Sequence, residues 1–381
     1  MIMNKNNFTD FEELNNLMQN GINTHVNGKA YYTGYSYKAL YDWDQYFEAI
    51  VQIYMGWDTK YIKNGIEIFL DDQEESGFIV RVTPVNKQFP GERDEHAKPF
   101  FAQILLLLLN HEGNIEWFTQ EYYVKLKKYL LYWLNEQDRD QNGLPTWNSG
   151  PHCGMDNQHE RAGYWGDCFC EGIDLASFLY RELKAFCIIA ETMGHQEDAL
   201  EMQAAAEKIY RMVQTVLWDE KDGFFYDRNE KTGQIIKVKS IAAFSAMWAG
   251  IATKTQAERL VKEHLLNPAE FWRPFPVPAY AATETSYSET PLENDLGCYW
   301  RANTWIPTNY IVFHSLQKYG YTEIAEKIAN TTYDMVKKIG NREFYTSETL
   351  QGLGCDPFWG WSLLAYFMPM EFEKHFNPTE I

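Results

Sequence analysis

Apolar residues recur at helical spacing, i, i+3, i+4 and i+7, along almost the whole chain. Twelve segments follow that pattern: about 9–20, 38–56, 58–72, 97–110, 114–137, 172–194, 196–217, 240–252, 255–266, 302–320, 322–339 and 359–371. Thr9 with Glu12 and Thr255 with Glu258 fit capping boxes, and Asn114 fits an N-cap. Gly194, Gly320 and Gly340 stand where helix C-caps belong. Strand signals are short and confined to connections, as in Gly77–Val82 and Gly223–Tyr226.

The connections alternate in length. Joins near 57, 111–113, 195, 253–254 and 321 are a few residues long. Those over 21–37, 73–96, 138–171, 218–239, 267–301 and 340–358 run to about 17 residues or more. Loops of that length inside a compact domain are usually functional. In an antiparallel array the alternation puts all six at the same end. Twelve helices in six hairpins, with the long loops on one rim, predict an all-α (α/α)6 toroid. No Pro/Gly/Ser linker or charge block interrupts the array, so residues 1–381 are expected to form one domain. The stretch from Glu371 to Ile381 reads as a polar tail.

Charge and cysteine usage narrow the class. The net charge of −19, from 34 basic and 53 acidic residues, disfavours nucleic acid, whose binding rests on clustered Lys and Arg. It disfavours an anionic membrane surface equally. The longest apolar run, Ile104–Leu109, is far shorter than the roughly 20 residues of a membrane span. Met1 to Thr9 lacks the apolar stretch of a signal peptide. Cys153, Cys168, Cys170, Cys187, Cys298 and Cys355 show no disulfide-scaffold spacing and read as reduced thiols of a cytoplasmic protein. Cys168-Phe169-Cys170 with His152 and His159 lacks the second ligand pair of a zinc site. No metal and no cofactor is expected.

Aromatics are in excess: 13 Trp, 25 Tyr and 23 Phe, 16% of the chain. Trp147, Trp165, Trp218, Trp272 and Trp300 lie in or beside the long loops, and Trp43, Trp305, Trp359 and Trp361 open the helices that follow. Indoles around a cavity suit a small carbohydrate, whose C–H faces stack on rings while its hydroxyls need fixed polar partners. Taken singly, each indole equally fits a plug for the barrel end. In loop 138–171, Gly154-Met155-Asp156-Asn157-Gln158-His159-Glu160-Arg161 sets a carboxylate amid apolar neighbours. Partial desolvation there would raise its pKa and suit a general acid. Loop 340–358 brings Glu348 to the same rim, ahead of Gly352 and Gly354, which let backbone approach a ligand. Two carboxylates across a pocket are the minimum machinery for glycoside hydrolysis. Among 53 acids, however, spacing alone does not single out these two.

Several segments resemble a known group. Tyr41-Asp42-Trp43-Asp44-Gln45-Tyr46-Phe47 is similar to the W-D-x-x-F signature of the trehalase-like six-hairpin glycosidases. Gly154-Met155-Asp156-Asn157 with Arg161 resembles their segment bearing the general acid. Tyr299-Trp300-Arg301-Ala302-Asn303-Thr304-Trp305 resembles the Y-W-R-G motif of glycoside hydrolase family 63. Lys98-Pro99-Phe100-Phe101-Ala102-Gln103 and Leu217-Trp218-Asp219 fit weaker parts of the pattern. Glu348 with Gly352, Gly354 and Phe358-Trp359-Gly360-Trp361-Ser362 is similar to the C-terminal region holding the base. The matches keep their order and span about 40 to 362. Three departures stand out: Ala302 for the usual Gly, a short segment after Glu348, and Pro151-His152-Cys153 between Ser149-Gly150 and Gly154. In length the chain is most similar to compact bacterial members, among them mannosylglycerate and glucosylglycerate hydrolases.

The resemblance implies an inverting, exo-acting α-glycosidase. Asp156 would protonate the glycosidic oxygen and Glu348 would activate a water on the opposite face, which needs the carboxyls roughly 6.5–9.5 Å apart. Trp43 and Asp44 would hold the terminal sugar, and Arg301, between Trp300 and Trp305, would orient a carboxylate or hydroxyl. Tyr41, Gln103, Asn157, Arg161, Tyr299 and Trp359 complete the implied substrate contacts. Three other readings compete. Asp71-Asp72-Gln73-Glu74-Glu75 matches the D-D-x-x-E of terpene synthases, without a second acidic motif. A sugar epimerase on the same toroid would use rim histidines such as His96, His152 and His159. A non-catalytic sugar-binding protein would keep the tryptophans without needing both acids.

Overall fold

The computed structural model describes residues 8–85, 90–163, 168–292 and 299–381; Trp165 and Cys298 lie outside them. Among the described residues the helices are α1 (Phe8–Met18), α2 (Asp42–Tyr54), α3 (Lys60–Asp71), α4 (Phe101–Glu112), α5 (Gln120–Asn135), α6 (Gly150–Cys153) and α7 (His159–Ala162). They continue with α8 (Ile173–Thr192), α9 (Gln196–Met212), α10 (Ser245–Trp248), α11 (Lys254–Arg259), α12 (Ile306–Lys318), α13 (Thr322–Ile339) and α14 (Met368–Lys374).

Alternate helices form a closed inner ring. α2 packs on α4, α4 on α8, α8 on α10, α10 on α12, α12 on the helical turn Trp361–Tyr366, and that turn returns to α2. The ring explains a difference in composition. In α4 every residue from Phe101 to Leu108 is buried, as a helix enclosed on all sides requires. In α13, on the outside, burial is confined to Ala325, Ile328, Ala329, Thr332, Met335 and Val336, one face at helical spacing. The toroid is the predicted fold.

The short strands lie in the long connections, and they stitch neighbouring loops together. Leu40–Tyr41 pairs with Val82–Thr83, Cys170–Glu171 with Asp227–Asn229, and Asn303–Thr304 with Phe344–Thr346. Ser240 bridges to Tyr280. Side chains make the remaining joins: His152 Nε2 bonds the His96 carbonyl at 2.7 Å, and Trp359 Nε1 donates to the Thr33 carbonyl at 2.8 Å. The last contact ties the sixth loop to the first. All six loops therefore share one rim.

Several local expectations shift. α5 starts at Gln120, not after Asn114, because Thr119 supplies the cap. The capping box of α11 is Thr253 with Gln256, two residues ahead of the expected pair. The run expected over 240–252 divides into a tight turn, Ile241–Phe244, and the single turn of α10. The expected polar tail is docked. Glu371 is buried against the Tyr310 hydroxyl at 2.7 Å and His314 Nε2 at 3.1 Å. Thr379 accepts from Arg181 and, at 3.2 Å, from Trp248 Nε1. Among the described residues no helix is long and apolar enough to cross a membrane.

Candidate active site

The first turn of α2 sets the base of the site. Asp42 Oδ1 accepts the Trp43 amide at 2.7 Å and Lys98 Nζ at 3.2 Å, while Oδ2 accepts the Lys98 amide at 2.6 Å. This acid is spent on tying the second long loop to the helix. Asp44 is different. It is 3% exposed, and its Oδ1 has no hydrogen-bond partner among the described residues. Burial and the adjacent Asp42 push its carboxyl up to about 8, against the pull of Lys98 and a hydrogen bond from Tyr35; Glu343 pushes the same way as Asp42.

Asp156 sits between two one-turn helices. Ser149 caps α6 by accepting the His152 amide at 2.9 Å, Pro151 occupies its first turn, and Gly154 ends it. The inserted Pro151-His152-Cys153 thus builds the turn that presents Asp156. Gly154 has φ +86°, and a Cβ there would stand 2.9 Å from Trp43 Cζ2. Only glycine lets this loop lie flat on the indole. The Asp156 carboxyl is half-buried, and desolvation raises it to about 7. Arg81 and Lys98 pull it down; Glu95 and Glu343 push it up. Arg81 is itself held, by Glu92 Oε1 at 3.2 Å and Glu95 Oε2 at 2.5 Å.

Two glutamates flank the short strand Phe344–Thr346, and the structure gives them different surroundings. Glu343 is buried, raises both Asp44 and Asp156 by its charge, and accepts the Cys355 amide on Oε2 at 2.9 Å. Glu348 is half-buried on the rim. Arg273 grips it through Nε at 2.6 Å and Nη2 at 3.0 Å, and the Tyr287 hydroxyl adds a bond at 2.8 Å. These contacts, the Arg273 bond foremost, hold its carboxyl below the usual range. Glu343, together with Tyr35, Arg81 and Lys98 in roles around the acids, was not singled out by the sequence. For Glu343 a signal existed: it directly precedes the apolar pair Phe344-Tyr345 in the same glycine-bearing loop.

The tryptophans form a packed floor more than an open wall. Trp300 stacks on Trp305 with centroids 3.7 Å apart, and Trp305 stacks on Phe344 at 4.3 Å. Trp43 lies against Trp300 and Trp361 at 5.8 and 6.3 Å. Trp147 and Trp359 are buried, the first donating to Asp174 Oδ1 at 2.9 Å. Tyr41 stays half-buried, with its hydroxyl 3.2 Å from Glu92. Tyr299 is partly buried, edge-on to Phe344 at 5.8 Å. Asn157 is buried and accepts the Trp300 amide at 2.6 Å, which joins the acid loop to the indole pair. Arg301 is buried beside Tyr280.

Two expected substrate contacts are engaged elsewhere. Gln103 Nε2 donates to the Pro99 carbonyl at 2.8 Å, and its Oε1 accepts Arg181 Nε at 3.0 Å. Arg161 is fully buried in ion pairs with Asp174 at 2.6 Å and with Asp227. Arg161→Met is therefore expected to strand two buried carboxylates and cost about 3–5 kcal/mol, read as a lower urea midpoint. Wild-type stability with a raised KM would return Arg161 to the substrate.

Two of the rim histidines, His96 and His152, are engaged by backbone on both ring nitrogens. His96 Nδ1 accepts the Ile79 amide at 3.0 Å and Nε2 faces the Tyr129 carbonyl at 3.2 Å. His152 Nδ1 accepts the Asn148 amide at 3.0 Å. Burial lowers both imidazoles to about 3. Below pH ~6.5 the unfolded chain takes up protons that these folded rings refuse, so their contribution falls by up to ~1.4 kcal/mol per pH unit each. The raised carboxyls of Asp44 and Asp156 act with the opposite sign, so a comparison of variants is needed. The stability lead of wild type over His152→Gln should shrink between pH 7 and pH 5 in urea titrations; a constant lead would contradict the neutral assignment. Among the described residues no group of three His, Cys, Asp or Glu is arranged to hold a metal ion. Asp71 of the D-D-x-x-E match pairs with Lys29 at 2.7 Å on the surface.

Comparison with known proteins agrees with the fold. A family profile described as the mannosylglycerate hydrolase MGH1-like glycoside hydrolase domain matches residues 37–362. A cytosolic neutral trehalase of Kluyveromyces lactis is 30% identical over 166 residues, 41% of this chain and 21% of that protein. A mannosylglycerate hydrolase of Thermus thermophilus is 29% identical over 154 residues, 40% of this chain and 34% of that protein. The chain thus matches well under two thirds of the length of these curated relatives. The crystal structure of a family 63 mannosylglycerate hydrolase, also from Thermus thermophilus, superposes with a TM-score of 0.77 at 18% identity, covering 94% of this chain and 99% of that one. Neutral trehalase from Saccharomyces cerevisiae gives a TM-score of 0.67 at 17% identity, covering 92% and 76%.

Proposed function

The chain belongs to the MGH1-like mannosylglycerate hydrolase family of glycoside hydrolase domains, and from that premise we propose that it is an inverting, exo-acting α-glycosidase. Its substrate is a small α-linked glucoside or mannoside, of the glucosylglycerate or mannosylglycerate kind or a short α-gluco-oligosaccharide. Residues 1–381 act as one catalytic unit without a metal or cofactor. The observation that carries the reading is Asp156, raised to about 7 on the loop that lies against the Trp43 indole, with the charge of the buried Glu343 acting on both Asp156 and Asp44.

A carboxyl titrating near neutrality is poised to donate a proton. Asp156 gives its proton to the glycosidic oxygen as the C1–O bond breaks. Glu343, rather than the ion-paired Glu348, takes a proton from the water whose oxygen bonds to C1 from the opposite face. Asp44, buried with an open oxygen, bonds the hydroxyls of the terminal sugar, while Trp43 covers a ring face. The epimerase alternative loses two of its three candidate histidines, because His96 and His152 spend both ring nitrogens on backbone.

Relatives guide the choice of substrates: the mannosylglycerate hydrolase of Thermus thermophilus has been crystallised with glucose and with Tris and D-glycerate. Hydrolysis of mannosylglycerate, glucosylglycerate, trehalose, kojibiose and short α-glucans is the direct test. Proton NMR of the first-formed sugar is expected to show the β-anomer; net retention would sink the inverting pair.

A further inference from the structure

Loop 340–360 folds back over Glu343. Gly354 has φ +73°, and a Cβ added there would overlap Glu343 Oε2 and lie 2.5 Å from its Cβ. The next residue supplies the cover. The Cys355 amide donates to Oε2 at 2.9 Å, and the half-buried Cys355 thiol also hydrogen-bonds the Glu343 side chain. The flanks are pinned: Arg342 Nη1 pairs with Asp356 Oδ1 at 2.5 Å, and Trp361 Nε1 donates to the Glu343 carbonyl at 2.9 Å.

We propose that Cys355 is a positioning residue for Glu343, clasping the carboxylate with its main-chain N–H and its thiol. The proposal rests on the reading of Glu343 as the base. The physical need is plain. Glu343 is buried, and burial by itself opposes the ionisation of a carboxyl. A base must be ionised to accept a proton, and donors to the charged form offset the cost of burying that charge. Burial, followed by the charge of Glu343, pushes the thiol up to about 12. It therefore stays protonated and remains a donor at working pH. Serine can reproduce the donor; alanine cannot.

The test is the pH dependence of kcat/KM on whichever glycoside of the panel is hydrolysed fastest. Cys355→Ala is expected to move the acidic limb up by about half a pH unit or more, as loss of a bond to a charged acceptor requires. Cys355→Ser should restore it. Activity in Glu343→Gln would overturn the base itself. An inactive Glu343→Gln beside an unshifted Cys355→Ala profile would overturn only the role of Cys355. A second measurement needs no turnover: iodoacetamide labelling of the Cys355 peptide, followed by mass spectrometry. Glu343→Gln removes the anionic partner, so labelling at pH 9 should accelerate by about tenfold for each unit the thiol falls. An unchanged rate would refute the clasp.

Discussion

Asp156→Asn is expected to slow hydrolysis by at least about two orders of magnitude, the usual range for losing a general acid. The carboxyl sits near 7 because desolvation outweighs the pull of Arg81 and Lys98. Only the protonated form can serve the leaving group, so wild-type kcat/KM should decline as pH rises through about 7, while the residual activity of the variant should not follow that limb. A substrate whose leaving group needs no proton, such as a glycosyl fluoride, separates this role from a structural one. Asp156→Asn should lose far less on the fluoride than on the natural type of glycoside. Equal losses on both would remove Asp156 from the acid role, and so would full activity on the natural type.

The second large effect discriminates between two glutamates five residues apart. Glu343→Gln should also cost at least about two orders of magnitude, with the fold retained, since an amide oxygen can still accept the Cys355 N–H. Glu348→Gln should cost less than about tenfold. Its carboxylate is half-exposed and already neutralised by Arg273, and an ion pair of that kind is worth roughly 0–1 kcal/mol. The two variants, measured side by side by kcat and by thermal unfolding, decide the base. The reverse ranking would give the role to Glu348, with the Arg273 pair opening on substrate binding.

The expectation of Glu348 and the proposal of Glu343 show where reading a linear chain stops. Both acids precede Gly352 and Gly354 in one loop, and both fit the spacing of a motif that ends in glycines and Trp361. The pairing of Phe344–Thr346 with Asn303–Thr304 separates them. That strand leads from Glu343, buried and acting by its charge on Asp44 and Asp156, to Glu348 on the rim beside Arg273. Strand register is a long-range property, and no local pattern near 343 or 348 encodes it. The same limit explains Arg161 and Gln103, whose partners Asp227 and Arg181 come from other loops and helices. The local setting of Asp156 was legible for the opposite reason. Its turn is built locally, from the Ser149 cap, Pro151 and Gly154, and its desolvation follows from apolar neighbours in the same stretch.

By itself the sequence determined the helical periodicity, the alternation of short and long joins, and hence a toroid with its chemistry on one rim. These features are local or nearly so, because burial repeats every three or four residues and loop length can be counted. It also determined that Asp156 and Asp44 stand on that rim. The tertiary structure alone decided which acids share one low-dielectric site, which cations offset them, and whether the indoles are wall or floor. Such properties depend on distances between residues as far apart as 44, 156 and 343, and charges interact through space, with no regard for their separation along the chain.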